Sequence, residues 1–239
     1  MAKMKALAWV VCVMTVSLAA RAQSLSVLPV NVLLAPGQSA ATVTVTNHGN
    51  SETAIQIRGY AWNQPDGEDQ LAASDALVVS PPLATIAAGA TQVVRLILRE
   101  APQGREATYR ILLDQIPPPA EAGVVHVVLR LSIPIFAQPL TRVFPDVQFH
   151  VETESGQVFL VGTNYGSHHE AIRDIALSTS GGAKLKADAG ASPYALAGAT
   201  RRWHIAIPGP LPLPSDTLRL TAHADGGAIE EQVRVVAKP

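Results

Sequence analysis

Cysteine is almost missing from these 239 residues: there is one, Cys12. A disulfide framework is therefore excluded, as is any cysteine-rich metal site. Charged residues are scarce at 15%, and they nearly cancel, leaving a formal net charge of −1. That balance lacks the basic excess of a nucleic-acid binder. Past the first two dozen residues, no apolar run reaches the roughly 18 residues of a membrane span without a charge or a Pro/Gly break. The sequence has no Gly-x-Ser-x-Gly elbow, no Walker loop, no His-Glu-x-x-His and no cysteine nucleophile. It reads as a protein that is not an enzyme. What it has is 48% hydrophobic residues, enough for packed cores, together with 17 glycines and 18 prolines. Punctuation that dense suits a turn-rich β protein better than a helical one.

The N-terminus accounts for the cysteine. Lys3 and Lys5 precede an apolar stretch over 6–20, and Ala20-Arg21-Ala22 has the small-x-small form of a cleavage site. The stretch is short for a membrane anchor. Residues 1–22 therefore read as a secretory signal peptide cut after Ala22, with Gln23 as the new first residue. Cys12 leaves with it. The expectation is an exported chain that is not membrane-embedded and is stable without disulfides.

The rest is written in period two. Val43 and Val45 alternate with Thr42, Thr44 and Thr46, and Thr53-Ala-Ile-Gln-Ile-Arg58 alternates as well. Such alternation means strands with one buried face. Turn signals separate them at Ala35-Pro-Gly37, Asn47-His-Gly-Asn50, Pro65-Asp-Gly67, Ala88-Gly89 and Pro117-Pro-Pro119. Further strands are expected over 92–98, 108–113 and 124–136, and no stretch carries a helical stripe. The prolines of Gln138-Pro-Leu-Thr-Arg-Val-Phe-Pro145 mark a boundary. Beyond it a second set of short strands is expected at 147–151, 157–162, 171–178, 202–207, 217–221 and 232–236. The fold class is all-β, two β-sandwich domains in tandem, over 23–139 and 140–239.

The segment from Gly123 to Phe136 is the most informative. Its odd positions, Val125, Val127, Leu129, Leu131, Ile133 and Ile135, are all apolar. A stripe of six spans roughly 17 Å at about 3.4 Å per residue. Pro134 cannot donate to a ladder, which places this end of the strand at an edge. A long apolar edge strand aggregates unless something covers it. Two readings stand: the stripe lines its own core, or the edge is kept open to pair with another chain.

Several stretches together resemble the periplasmic chaperones of the chaperone–usher pilus pathway, the PapD-like family. They are Ser26-Val-Leu-Pro-Val-Asn-Val-Leu-Leu-Ala-Pro-Gly37, Val43-Thr-Val-Thr-Asn47, Val79-Ser-Pro-Pro82, Ile86-Ala-Ala-Gly89, Gln92-Val-Val-Arg-Leu96 and Tyr109-Arg-Ile-Leu-Leu-Asp-Gln-Ile-Pro-Pro118. The long strand ending Pro134-Ile-Phe136 completes the set. Tyr194-Ala-Leu-Ala-Gly-Ala-Thr-Arg-Arg-Trp203 is similar to a segment of the archaic branch. The resemblance implies two immunoglobulin-like domains in a boomerang arrangement, in the periplasm, with no cofactor. It implies binding of a pilus subunit that lacks its last strand, by lending one, and delivery to an outer-membrane usher. The lent stripe would be Val125, Val127, Leu129 and Leu131. The alternative is a secreted immunoglobulin-like protein that assembles with itself.

One departure matters. Family members grip the subunit's C-terminal carboxylate with a basic pair, and the matching positions here are Asn31 and Pro134. Two readings follow: other arginines hold the carboxylate, Arg95 and Arg130 first and Arg110 third, or the C-terminus is held without a charge pair. For Arg95 an ion pair to Glu106 or Asp114 is the competing role. Of the seven histidines only His168 and His169 adjoin, and no third ligand stands at a recognisable spacing, so no metal site is expected. The acidic residues Asp66, Glu68 and Asp69 read as a solvated turn, Trp62 and Trp203 as packing residues, and Arg201-Arg202 as surface charge or a domain brace.

Overall fold

The computed structural model describes residues 25–119, 123, 127–179, 181–188, 192–207 and 209–237. The expected signal peptide lies outside them. Ten strands form the first half: β1 Leu25–Leu28, β2 Val32–Leu34, β3 Ala40–Asn47, β4 Thr53–Asn63, β5 Gln70–Ala73, β6 Leu77–Ser80, β7 Leu83–Ile86, β8 Thr91–Leu98, β9 Ala107–Ile116 and β10 Arg130–Ala137. One sheet has the order β1-β3-β8-β6. The facing sheet runs β2-β10-β9-β4, and β4 carries β7 at its start and β5 at its end.

Alternation places the core. Val43 and Val45 of β3 and Val94, Leu96 and Leu98 of β8 face inward. They meet Ile55 and Ile57 of β4, Ile111 and Leu113 of β9, and Ile133 and Ile135 of β10. Outward positions take threonines, arginines and the half-exposed Val93 and Ile97.

Nine strands form the second half: β11 Val147–Glu154, β12 Gln157–Asn164, β13 Glu170–Ala171, β14 Arg173–Ser178, β15 Lys184–Ala187, β16 Tyr194–Ala195, β17 Thr200–Ala206, β18 Thr217–Ala224 and β19 Gly227–Ala237. Seven of them close in the order β11-β12-β17-β15-β14-β18-β19. β17 and β19 each pair in both layers, so the second sandwich is joined at its two sides. Trp203, Leu160, Leu177, Leu220 and Val235 fill it.

A third, smaller cluster lies between the halves. Trp62 and Phe136 of the first half bury against Leu196, with Tyr194 and Ala199 alongside. Tyr194 meets the Trp62 ring edge-on, centroids 5.5 Å apart. Gln64 ties the same seam: its amide donates to the Tyr194 carbonyl (2.7 Å) and accepts from the Leu196 N–H (2.9 Å).

Two sequence expectations change. The strand expected over 124–136 begins only at Arg130; residues 124–126 fall outside the described set, and Val127–Leu129 are extended without ladder partners on both sides. By the β9–β10 register the three prolines after Ile116 fall opposite Val127 and the residues before it, so the inner neighbour stops there, while Leu129 still bonds Gln115. The turn at Pro65–Gly67 is exposed at Asp66 and Glu68, as expected, but it is more than a free loop tip. It docks on β17, and a Cβ at Gly67, whose φ is +83°, would lie 2.5 Å from Arg202 Cγ. Glycine is required there both for its backbone angle and for its lack of a side chain.

Ile57 is 1% exposed and Val93 53%. Ile57→Ala should lower the unfolding free energy by about 2–5 kcal/mol. Val93→Ala should stay within about 0.5 kcal/mol. Urea melts of the two variants check this; equal losses would mean the sheet faces are misplaced.

Candidate functional site

β10 has two edges in different conditions. One is paired along its whole length to β9, from Arg130 opposite Asp114 to Ala137 opposite Ala107. The other meets β2 only at Ile135, Phe136 and Ala137. Among the described residues nothing pairs with the outer edge from Arg130 to Pro134.

The direction of each backbone group follows from one bond. The Leu129 carbonyl accepts from the Gln115 N–H at 2.9 Å. Antiparallel alternation then turns Leu131 and Ile133 toward β9, and turns the N–H and C=O of Arg130 and Ser132 outward. Pro134 falls in the outward set, so its missing N–H costs the ladder nothing. The Gln115 side chain, buried and bonded to Thr53, also accepts from the Leu129 N–H (3.3 Å), holding the strand's approach in line.

The apolar stripe divides. Ile133 and Ile135 are core residues, and Leu131 is half-buried against that core. Beyond them Leu129 is 38% exposed and Val127 90%. Val125 lies outside the described residues. The stripe therefore lines its own core at Ile133 and Ile135 and runs out of it at Leu129 and Val127.

The outward face of this sheet is charged. Asp114 of β9 takes Arg130 Nε on one oxygen and Arg58 on the other, the latter at 2.6 Å. The hydrogen bond from Arg130, and then that from Arg58, hold its carboxyl below the usual carboxylate range. Arg130 is thus already partnered. Arg95 stands on the exposed face of β8, in the other sheet, and among the described residues it forms no ion pair. Asp114 and Glu106, its expected partners, are held by other groups.

Arg110 is where the open edge leads. Its residue lies opposite Pro134 in the β9–β10 register. The guanidinium donates to Ser132 Oγ (3.1 Å) and to Ser192 Oγ of the second half (3.3 Å). It sits 3.8 Å from the centroid of the Trp62 ring and 3.5 Å from an Asp69 oxygen. Burial lowers its pKa from the ordinary arginine value, against the pull of Asp69. With Val30, Ser132, Pro134, Pro193, Tyr194 and Arg201 it lines a cleft between the halves. Arg201 donates to the Gly67 carbonyl (2.9 Å) and meets Glu68 at 3.4 Å. Arg201 therefore braces the seam, and the acidic turn exists to receive these two arginines. Sequence reasoning ranked Arg110 third; the signal that would raise it is its pairing position beside Pro134.

Residues 24–142 match the family model for pili and flagellar-assembly chaperones, PapD N-terminal domain. The chain belongs to this family, the assembly chaperones of pili. No curated protein sequence matches it significantly. Among solved structures it resembles a chain of the CsuC–CsuE chaperone–tip adhesion subunit pre-assembly complex from the archaic Csu pili of Acinetobacter baumannii. The TM-score is 0.66 at 21% identity, covering 90% of this chain and 100% of that one. The Salmonella enterica SafA pilin–SafB chaperone complex also matches, at TM-score 0.57 and 17% identity over 90% of this chain and 96% of that one. The E. coli chaperone DraB matches at 0.55 and 20% over 90% and 97%. These likenesses carry the two-domain immunoglobulin-like fold. No helix among the described residues is long and apolar enough to cross a membrane.

Asp114 gives a pH prediction. Its carboxyl is depressed in the folded state, so the stability it adds is full above its unfolded pKa and is lost as pH falls through the folded value. The gap in urea midpoint between wild type and Asp114→Asn should be widest at neutral pH and close below the ordinary carboxylate range. A gap unchanged with pH would contradict this.

Proposed function

We propose that this protein is a periplasmic pilus chaperone of the archaic type that holds subunits by lending them the open edge of β10. The observation that carries the reading is that edge: backbone groups of Arg130 and Ser132 turned outward, continued by exposed Val127 and Leu129. A subunit lacking its last strand would add its own strand there, taking backbone hydrogen bonds along the edge. Val125, Val127, Leu129 and Leu131 would enter its groove. Burying Val127 and Leu129 is worth about 1.5–3 kcal/mol each, gross. Leu131, already half-buried, adds less. Ordering and association take back part of the gain.

The subunit's C-terminal carboxylate would enter the cleft beside Pro134. Arg110 is the best placed anchor, since it is buried, points at Ser132 and is neutralised only at 3.5 Å by Asp69. Arg130 could serve by leaving Asp114, and Arg95 only from the other sheet. The leader over 1–22, cut after Ala22, would bring the chain to the periplasm, where the divisions 23–139 and 140–239 act as two domains. Delivery to an outer-membrane usher, with a neighbouring subunit's extension displacing the lent strand, completes the reading.

Co-expression with a secreted immunoglobulin-like subunit that lacks its final strand should give a one-to-one complex. Val127→Asp with Leu129→Asp should cut recovery at least tenfold while leaving the free chaperone's melting temperature unchanged. A wild-type chain that elutes alone or only with itself would overturn the reading.

A further inference from the structure

Glu106 is a carboxylate with no access to solvent; its side chain is 0% exposed. It stands just before β9, and its backbone N–H donates to the Ser167 carbonyl of the second half at 2.9 Å. That bond carries the next two residues, His168 and His169, onto the carboxylate. His169 Nδ1 lies 2.7 Å from Oε1, and His168 Nε2 lies 3.2 Å from Oε2. The three ligand atoms are all within 4.8 Å of one another. The ligand sought in sequence lies 63 positions from His169, across the domain seam.

One carboxylate oxygen, Oε2, has no hydrogen-bond donor. His168 Nδ1 is 2.6 Å from the His169 carbonyl, which can only accept, so that nitrogen holds the ring's proton. The neutral ring then turns the lone pair of Nε2 toward Glu106. Oε2 itself is buried and makes no hydrogen bond. The Gln138 amide, 3.1 Å from Nε2, supplies that nitrogen but not the carboxylate oxygen. Oε2 is thus left without a donor 3.2 Å from Nε2, and a cation there would take the Nε2 lone pair over from the Gln138 amide.

We infer that Glu106, His168 and His169 form a binding site for a divalent cation of the zinc class, shared between the two halves. Two imidazoles and a carboxylate suit zinc and its transition-metal neighbours, not magnesium or calcium. Bonds of about 2.0–2.2 Å in a tetrahedron leave neighbouring ligand atoms a little over 3 Å apart. The Oε2–Nε2 pair already stands at that separation, and the Oε1–Nδ1 pair needs to open slightly. A metal-bound histidine donates its other ring N–H to a carbonyl or carboxylate, and His168 already does so. The site is rigid on one side, where His169 stacks on Phe136 with ring centroids 3.6 Å apart. His168, 24% exposed, leaves the way in from solvent. Because Glu106 comes from one half and the histidines from the other, the ion would staple the seam.

The test uses untagged, chelator-treated full-length mature protein. Micromolar zinc should raise its melting temperature by several degrees, and millimolar magnesium should not. Cobalt should give the strong visible bands of a tetrahedral site, displaced by zinc. Glu106→Gln and the milder His168→Gln should each abolish both effects, whereas His204→Ala, on an exposed histidine paired to Asp188, should keep them. Bands that survive Glu106→Gln and His168→Gln would place the ion elsewhere and overturn the inference. So would a chain whose melting temperature is indifferent to zinc.

Discussion

Every β-strand carries two rows of backbone hydrogen-bonding groups, and among the described residues only one row of β10 is satisfied along Arg130–Pro134. Everything else about this protein can be arranged around that fact. The inward stripe of Leu131, Ile133 and Ile135 fixes the strand to its own core, so the edge is held flat and in register without a second neighbour. β2 caps it at Ile135–Ala137, and Pro134 removes a donor at the point where pairing stops. Val127 and Leu129 prolong the stripe past the core into solvent. An exposed edge with apolar flanks is an aggregation hazard in a protein that has no use for it. In the proposed reading it is the surface that holds the subunit.

The seam between the halves supplies the second condition. Trp62, Phe136, Tyr194 and Leu196 pack it, Gln64 and Arg201 hydrogen-bond across it, and Glu106 meets His168 and His169 at its far side. Phe136 belongs to β10 itself, so the strand that carries the open edge is also the strand that the second half grips. The cleft with Arg110 therefore adjoins the same strand that carries the open edge.

Much of this was legible in residue order. Alternation in β3, β4 and β8 placed their buried faces, and Pro134 marked an edge. Residue order marked the three prolines after Ile116 as a turn, but it could not show the β9–β10 register, which sets them beside Val127 and the residues before it. It read the Asp66–Asp69 turn as solvated, which holds for Asp66 and Glu68, but it did not show that Asp69 and Glu68 meet Arg110 and Arg201, which come from β9 and from the other half. For the same reason it found no third ligand for the histidine pair. Local period and local turns are written locally; charge partners are fixed by the docking of distant strands.

Amide exchange on β10, read with and without a bound subunit, bears most directly on the central claim. The account predicts that the outward amides of Arg130 and Ser132 exchange freely in the chain alone and become strongly protected in the complex, while those of Leu131 and Ile133, turned toward β9, are protected in both. Outward amides already protected in the free chain, or left unprotected in the complex, would contradict it.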